Sequence, residues 1–279
     1  MADIWRIKYN AIVQPDLQAH CQSPTACSEP ASGSQRLIKE IATPTQKKNC
    51  LKKRKRTSRH RMTRKLNIKK MVKILVVIWY LVGIAGFMIH PLRPLFQLLT
   101  PWGMVGAAIL LMYFHEPKNT KSWLAFAGIA LVGFFSELIG VNTQVIFGNY
   151  IYGEVLGFKL WNTPLTIGIN WLVLVYCISS LAKTVRDRWY FPMIGAAAMV
   201  AFDWLMEPVA IATGMWSWPE GEIPLKNYMD WFLVSGFLFL MIRILKIEIN
   251  NRIATILLAM QIVFFLALNL LIRTPLWDF

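Results

Sequence analysis

Asp203 and Glu207, in the string FDWLMEPVA, stand four residues apart inside an otherwise apolar stretch. On a helix that spacing stacks both carboxyls on one face, with Cβ atoms about 6 Å apart. Two such groups in low-dielectric surroundings resist double ionisation, because burial and like charge both oppose the second negative charge. One member is therefore expected to stay protonated near neutral pH and to act as a proton donor. Pro208 follows directly, removes a helical hydrogen bond and is expected to kink the segment beside the pair. A third carboxyl, Glu137, lies in a separate apolar stretch. Ionisable groups at membrane depth are costly unless they face a cavity or a partner, so these three are the first candidates for chemistry.

The elements that must position them are long apolar segments. Hydrophobic residues make up 56% of the 279-residue chain, charged residues only 16%, and the mean hydropathy is +0.44. Soluble domains carry about 25% charged residues, so an all-α polytopic membrane bundle is the leading class, and general disorder, coiled coil and a disulfide-rich scaffold are excluded. Seven segments of spanning length are predicted, at 72–90, 95–114, 122–141, 164–182, 190–212, 229–247 and 254–272. The second is the weakest, because Pro101 and Gly103 interrupt it. The chain is thus expected to consist of a disordered basic tail, 1–70, and a transmembrane helical domain, 71–279.

The net charge of +15 belongs to that tail. Residues 1–70 hold 17 Lys/Arg and 4 Asp/Glu, whereas 71–279 hold 13 and 11. The run from Lys47 to Lys70 admits three readings: a contact to anionic lipid or nucleic acid, a marker of the cytoplasmic side, or a stretch upstream of a true start at Met62 or Met71. No nucleic-acid partner is expected. With the tail inside, the inner loops and helix ends carry eight Lys/Arg against four outside, which agrees with the positive-inside rule even when the tail is ignored. The expected location is the cytoplasmic membrane of a prokaryote, with the N-terminus cytoplasmic.

In this topology Glu137, Glu207, Asn170, Asn269 and His90 all converge on the outer leaflet, beneath two long connections at 142–163 and 213–228. Those connections, FGNYIYGEVLGFKLWNTP and GMWSWPEGEIPLKNYMDW, read either as an interfacial aromatic belt or as an ordered lid. Blander alternatives stand beside each functional one. Glu137 is equally a helix-end carboxylate, Asp203 and Glu207 a structural network, Asn170 helix–helix glue, and His90 a helix terminus. Trp161, Trp171, Trp204, Trp216, Trp218 and Trp231 read singly as packing, and together, beside acids, as an enclosure for a cation.

Cys21, Cys27 and Cys50 lie in the tail and Cys177 in an apolar segment, without metal-ligand spacing, so no metal or cofactor is expected. GxGxxG, GxxxxGK[ST], HExxH and GxSxG are absent, and no internal repeat is evident. Acids and indoles within a bilayer suit a lipidic substrate activated by a proton. Protonation of an isoprenoid double bond gives a tertiary carbocation, which needs a dry acid, π-faces or a carboxylate, and a quencher. Water as quencher gives hydration, and a neighbouring double bond gives cyclisation.

Three blocks, SELIGVNTQVIFGNYIYGEVLGFKLWNTPLTIGINW, FDWLMEPVAIATGMWSW and PLKNYMDWF, occur in this order. Over about 71–272 the chain resembles the carotenoid biosynthesis membrane protein family, which includes carotenoid 1,2-hydratases and bisanhydrobacterioruberin hydratase. The resemblance implies a cofactor-independent hydro-lyase. Its substrate would be an acyclic ψ-end of a carotenoid like lycopene, γ-carotene or bisanhydrobacterioruberin, with membrane lipid and other carotenoid enzymes as surroundings. Water would add across the terminal C1=C2 bond to give a tertiary alcohol. The family's acidic and Gly-Tyr blocks match at Glu137, Gly148, Tyr150, Tyr152, Asp203, Glu207, Asn227 and Tyr228. In the expected mechanism the Asp203/Glu207 pair delivers the proton, and Trp204 with Trp171, Trp216 and neighbouring aromatics shelters the cation. Glu137 with Asn170 or Tyr150 positions the water, and Tyr152, Asn227 and Tyr228 complete the substrate site. Competing readings are a proton-initiated carotenoid cyclase, a UbiA-like prenyltransferase, for which a second acidic cluster is missing, and a proton-coupled transporter. A retinal-binding receptor is disfavoured, because the seventh segment has no interior lysine.

Overall fold

The computed structural model describes residues 68–274 and Trp277, and the expectations for the basic tail lie outside them. Seven α-helices follow one another: α1 (Ile68–Met88), α2 (Arg93–Tyr113), α3 (Thr120–Thr143), α4 (Leu165–Leu181), α5 (Phe191–Ala212), α6 (Leu225–Ile244) and α7 (Arg252–Ile272). All except α4 are long and apolar enough to cross a membrane. Their outer faces are covered by exposed leucine, isoleucine, phenylalanine and tryptophan, the composition a lipid-facing surface requires. The protein is an integral membrane protein of the all-α class.

The shortest helix is the central one. Nearly every residue of α4 from Thr166 to Ser180 is shielded, and it packs against α2, α3, α5 and α7. The other extensive pairing is α5 with α6. Gly133 of α3 permits the first of these packings, since a Cβ there would lie 2.5 Å from Trp171 of α4. Helix starts are set by local caps. Asn119 and Asn251 accept the first free N–H groups of α3 and α7, from Ser122 and Ile253 respectively.

Two sequence expectations are revised. α2 is continuous through Pro101 and Gly103 instead of being interrupted there. A single proline removes one ladder bond, and Thr100 Oγ1 donates to the Phe96 carbonyl in the adjoining turn. α5 runs through Pro208 to Ala212, the extent expected for this segment, and Asn269 of α7 donates to the Leu205 carbonyl nearby. The second revision concerns α6, which begins at Leu225, four residues ahead of the predicted 229. Lys226 and Asp230 depress the hydropathy there, yet they form an i,i+4 ion pair at 2.8 Å that suits a first helical turn.

The even-numbered connections, α2–α3, α4–α5 and α6–α7, gather at one end with the Lys/Arg residues, here the basic end. The loops 144–164 and 213–224 close the other, the loop end. They are ordered and joined to each other. Strand β1 (Ile151–Tyr152) pairs antiparallel with β4 (Trp216–Ser217), placing Tyr152 opposite Trp216, while β2 (Lys159–Leu160) pairs with β3 (Thr163–Pro164) in a tight hairpin. Gly153 is required at this junction: its N–H donates to the Met215 carbonyl, and a Cβ would sit 2.0 Å from the Gly214 oxygen. A Lys159–Glu154 ion pair at 2.8 Å and a Lys159 bond to the Tyr152 carbonyl secure the hairpin to the cap.

Candidate acid chamber beneath the joined loops

Glu137 lies six residues before the end of α3, about 9 Å below the helix terminus at 1.5 Å per residue. Glu207 lies at a comparable depth on α5, and Asp203 one turn deeper. α3 and α5 run in the same sense, so the three carboxyls meet under the loops. All three are buried.

Each is met by a different set of donors. Glu137 Oε2 accepts from the Tyr150 hydroxyl at 2.6 Å and from the Tyr152 hydroxyl at 2.8 Å, and its Oε1 accepts from Trp171 Nε1 at 3.0 Å. The two tyrosines come from the 144–164 loop. Burial and the adjacent Glu137 carboxylate push both hydroxyls well above the ordinary tyrosine value of 10.0, so they keep their protons and donate. Glu207 Oε2 accepts from Trp216 Nε1 at 2.9 Å and Trp218 Nε1 at 3.1 Å, both on the second loop, and its Oε1 accepts from Asn227 Nδ2 at 3.4 Å. Asp203 has one donor, Asn227 Nδ2, at 2.8 Å to Oδ2. Asn227 is reached because α6 starts early, which puts its amide on the first turn facing α5. Indole N–H groups only donate, so Glu137 and Glu207 occupy acceptor positions while Asp203 is left with the fewest donors. Among the described residues the ion pairs are Lys159–Glu154 and Lys226–Asp230, so neither supplies a cation to these carboxyls.

The carboxyls line a small chamber of about 20 Å³ together with Tyr150, Tyr152, Trp216, Trp218 and Trp231. A polar cavity of about 10–15 Å³ or more holds one water molecule. Behind the wall Trp231 stacks on Trp171, with ring centroids 4.2 Å apart and planes inclined by 21°.

The structure brings together Glu137, Asp203, Glu207, Tyr150, Tyr152, Trp216 and Asn227 around the chamber, with Trp171 bonded to Glu137 from behind. It separates others. Trp204 is 67% exposed on the outer face of α5, because one residue along a helix turns the side chain about 100° away from Asp203. Asn170 lines a second, larger cavity instead. Tyr228 is half-buried and makes none of the hydrogen bonds to the acids. Asn269 is taken up by the backbone carbonyls of Leu205 and Phe265, and His90 is exposed in a short 3-10 turn. Trp218 was visible in the sequence only as one of six tryptophans, and its bond to Glu207 depends on loop geometry that hydropathy does not report. Among the described residues no group of three or more His, Cys, Asp or Glu side chains is set to hold a metal ion.

Comparison with known proteins agrees with the resemblance carried by the three sequence blocks. A family model described as carotenoid biosynthesis protein matches residues 100–276. The bisanhydrobacterioruberin hydratase of Haloarcula japonica is 27% identical over 131 residues, which is 42% of this chain and 43% of that protein. The chain therefore aligns with less than half the length of this relative. No solved structure matches the chain.

Proposed function

Because the chain belongs to the carotenoid biosynthesis protein family, we propose that it is a carotenoid hydratase acting on an acyclic ψ-end by carboxylic-acid protonation. The family and the distant hydratase support a carotenoid-modifying membrane enzyme, and the chamber supports the finer reading. The single observation that carries it is the inequality of the three acids: two accept three hydrogen bonds each, and one accepts a single bond.

In the proposed reaction Asp203 carries the transferable proton. The π pair of the terminal C1=C2 bond takes that proton at C2, leaving a tertiary cation at C1 and a carboxylate at Asp203. Glu207 and Glu137, fixed as acceptors by indole and phenol donors, provide negative charge that needs no reorganisation when the cation forms. Trp216 and Trp218 add π-faces beside it. The one water for which the chamber has room adds through oxygen to C1 and returns a proton to Asp203, which closes the cycle with one water consumed and no redox change. Its position is set by Tyr150, Tyr152 and Glu137. Trp204 and Tyr228 have no part in this scheme. The excess of Lys/Arg at the basic end supports an orientation with that end and the N-terminus on the cytoplasmic side of the cell membrane.

Expression in a lycopene-producing bacterium tests the reading. The expected pigment carries the mass of one added water per modified end and a tertiary alcohol. A product isomeric with lycopene and bearing a ring would replace hydration by cyclisation, and unchanged lycopene would overturn both.

A further inference from the structure

A second cavity, of about 280 Å³, adjoins the acid chamber. It lies between α1, α2 and α7, with α4 as its floor, and shares two residues with the chamber: Ile167 and Trp216 line both. Along α1 its wall extends from Trp79 to Phe87, about 12 Å at 1.5 Å per residue. That wall is hydrocarbon and aromatic except for Thr100, Asn170, Gln261 and the Tyr80 hydroxyl. Its mouth faces sideways, since Trp79, Val82 and Leu99 on its rim are 61%, 53% and 42% exposed on the lipid-covered flanks of α1 and α2. Its width depends on missing side chains. A Cβ on Gly103 would lie 3.7 Å from Trp79, and one on Gly83 3.4 Å from Phe264, so alanine fits at either position and a larger residue occupies the space itself.

We propose that this cleft is the binding site for the polyene arm of the substrate, entered from the bilayer between α1 and α2, with Trp216 and Ile167 as the partition through which the terminal double bond reaches the acids. The proposal rests on the hydratase reading for the identity of its occupant. Three observations select an extended apolar chain. The cleft adjoins the acid chamber across two shared side chains, its walls match a hydrocarbon, and its mouth opens on lipid, where such a chain is dissolved. Its volume is near the lower limit of ligand pockets, about 300–1,000 Å³, so it seats the portion of a long polyene next to the reacting end while the remainder stays in the bilayer. Trp216 is bound to Glu207 through Nε1 and to Tyr152 through strand pairing, so the partition belongs to the joined loops and is displaced only together with them.

The test measures lycopene retained per protein after purification of the full chain from a lycopene-producing host into lipid nanodiscs. It is run in an Asp203→Asn background so that turnover does not clear the site. Retention is expected to fall about tenfold or more on Gly103→Phe or Gly83→Leu, and to stay unchanged on Gly103→Ala and on Leu98→Phe, which points to lipid outside the cleft. Monodisperse elution of each variant establishes folding. A folded Gly103→Phe protein that retains lycopene like its parent overturns the proposal, as does a parent that retains none. Hydration by the Asp203-containing protein is scored separately. Retention that responds to cleft filling without any hydration removes the hydratase reading and leaves the cleft, whereas hydration with retention indifferent to cleft filling does the reverse.

Discussion

Asp203 differs from its two neighbours by what it lacks. Glu137 and Glu207 each accept three hydrogen bonds and Asp203 accepts one, from the same amide that reaches Glu207. Asp203→Asn is therefore expected to lower hydration by about a hundredfold or more, the usual worth of a positioned general acid, with membrane expression unchanged when pigments and protein are quantified together. Trp218→Phe removes a donor to Glu207 and keeps the ring; it should reduce conversion by a smaller factor, whereas Trp204→Ala should leave conversion as it is. The Tyr150 and Tyr152 hydroxyls have a pH signature. Their values are raised above 10.0, chiefly by burial and next by Glu137, so the stability they contribute is complete below pH 10.0 and lost as pH climbs beyond it. Thermal melting of the wild type should be flat toward alkaline pH up to that point, and Tyr152→Phe should melt lower throughout the flat range. Glu137, Asp203 and Glu207 were legible in the sequence because a carboxyl in an apolar run demands an explanation. Trp204 is next to Asp203 along the chain, which on a helix means a different face.

At the scale of elements, the membrane segments were legible and the joins were not. Seven apolar runs announce seven helices, and the interruption that Pro101 and Gly103 suggested is not there, because one proline costs a long helix a single ladder bond. The start of α6 was hidden by Lys226 and Asp230, and with it the placement of Asn227 on a helix. The pairing of Tyr152 with Trp216 links residues far apart in sequence through two-residue strands, too short to leave a periodic signal. Gly153 makes that pairing possible, and Gly153→Ala should separate the loops, lowering conversion and melting temperature together, because a Cβ has no room beside the Gly214 oxygen. At the basic end a second join links three helices. Asn251 Nδ2 donates to the Leu111 carbonyl at 3.1 Å and to the Tyr176 hydroxyl at 3.2 Å, and His115 Nδ1 lies 3.0 Å from that hydroxyl.

For the molecule as a whole, the two ends have separate tasks. The loop end holds the acids, and the basic end ties α2, α4 and α7 together through His115, Tyr176 and Asn251. His115 lies outside the spanning helices, and burial lowers it below the ordinary 6.5. Its neutral form is the one the fold accommodates, so this contribution to stability is full above pH 6.5 and is lost as pH falls through and below that value. Acid-side melting curves of wild type should drop accordingly, and those of His115→Gln should drop less steeply, with conversion at neutral pH preserved. The cap over the acids has a kinetic consequence. In the proposed hydration each turnover consumes one water, and its replacement has to reach the acids past the loops joined by β1 and β4. If hydration is the reaction, breathing of that seam, readable as hydrogen–deuterium exchange at the Tyr152 and Trp216 amides, is expected to bound how often the reaction centre is rehydrated, however much pigment waits in the membrane.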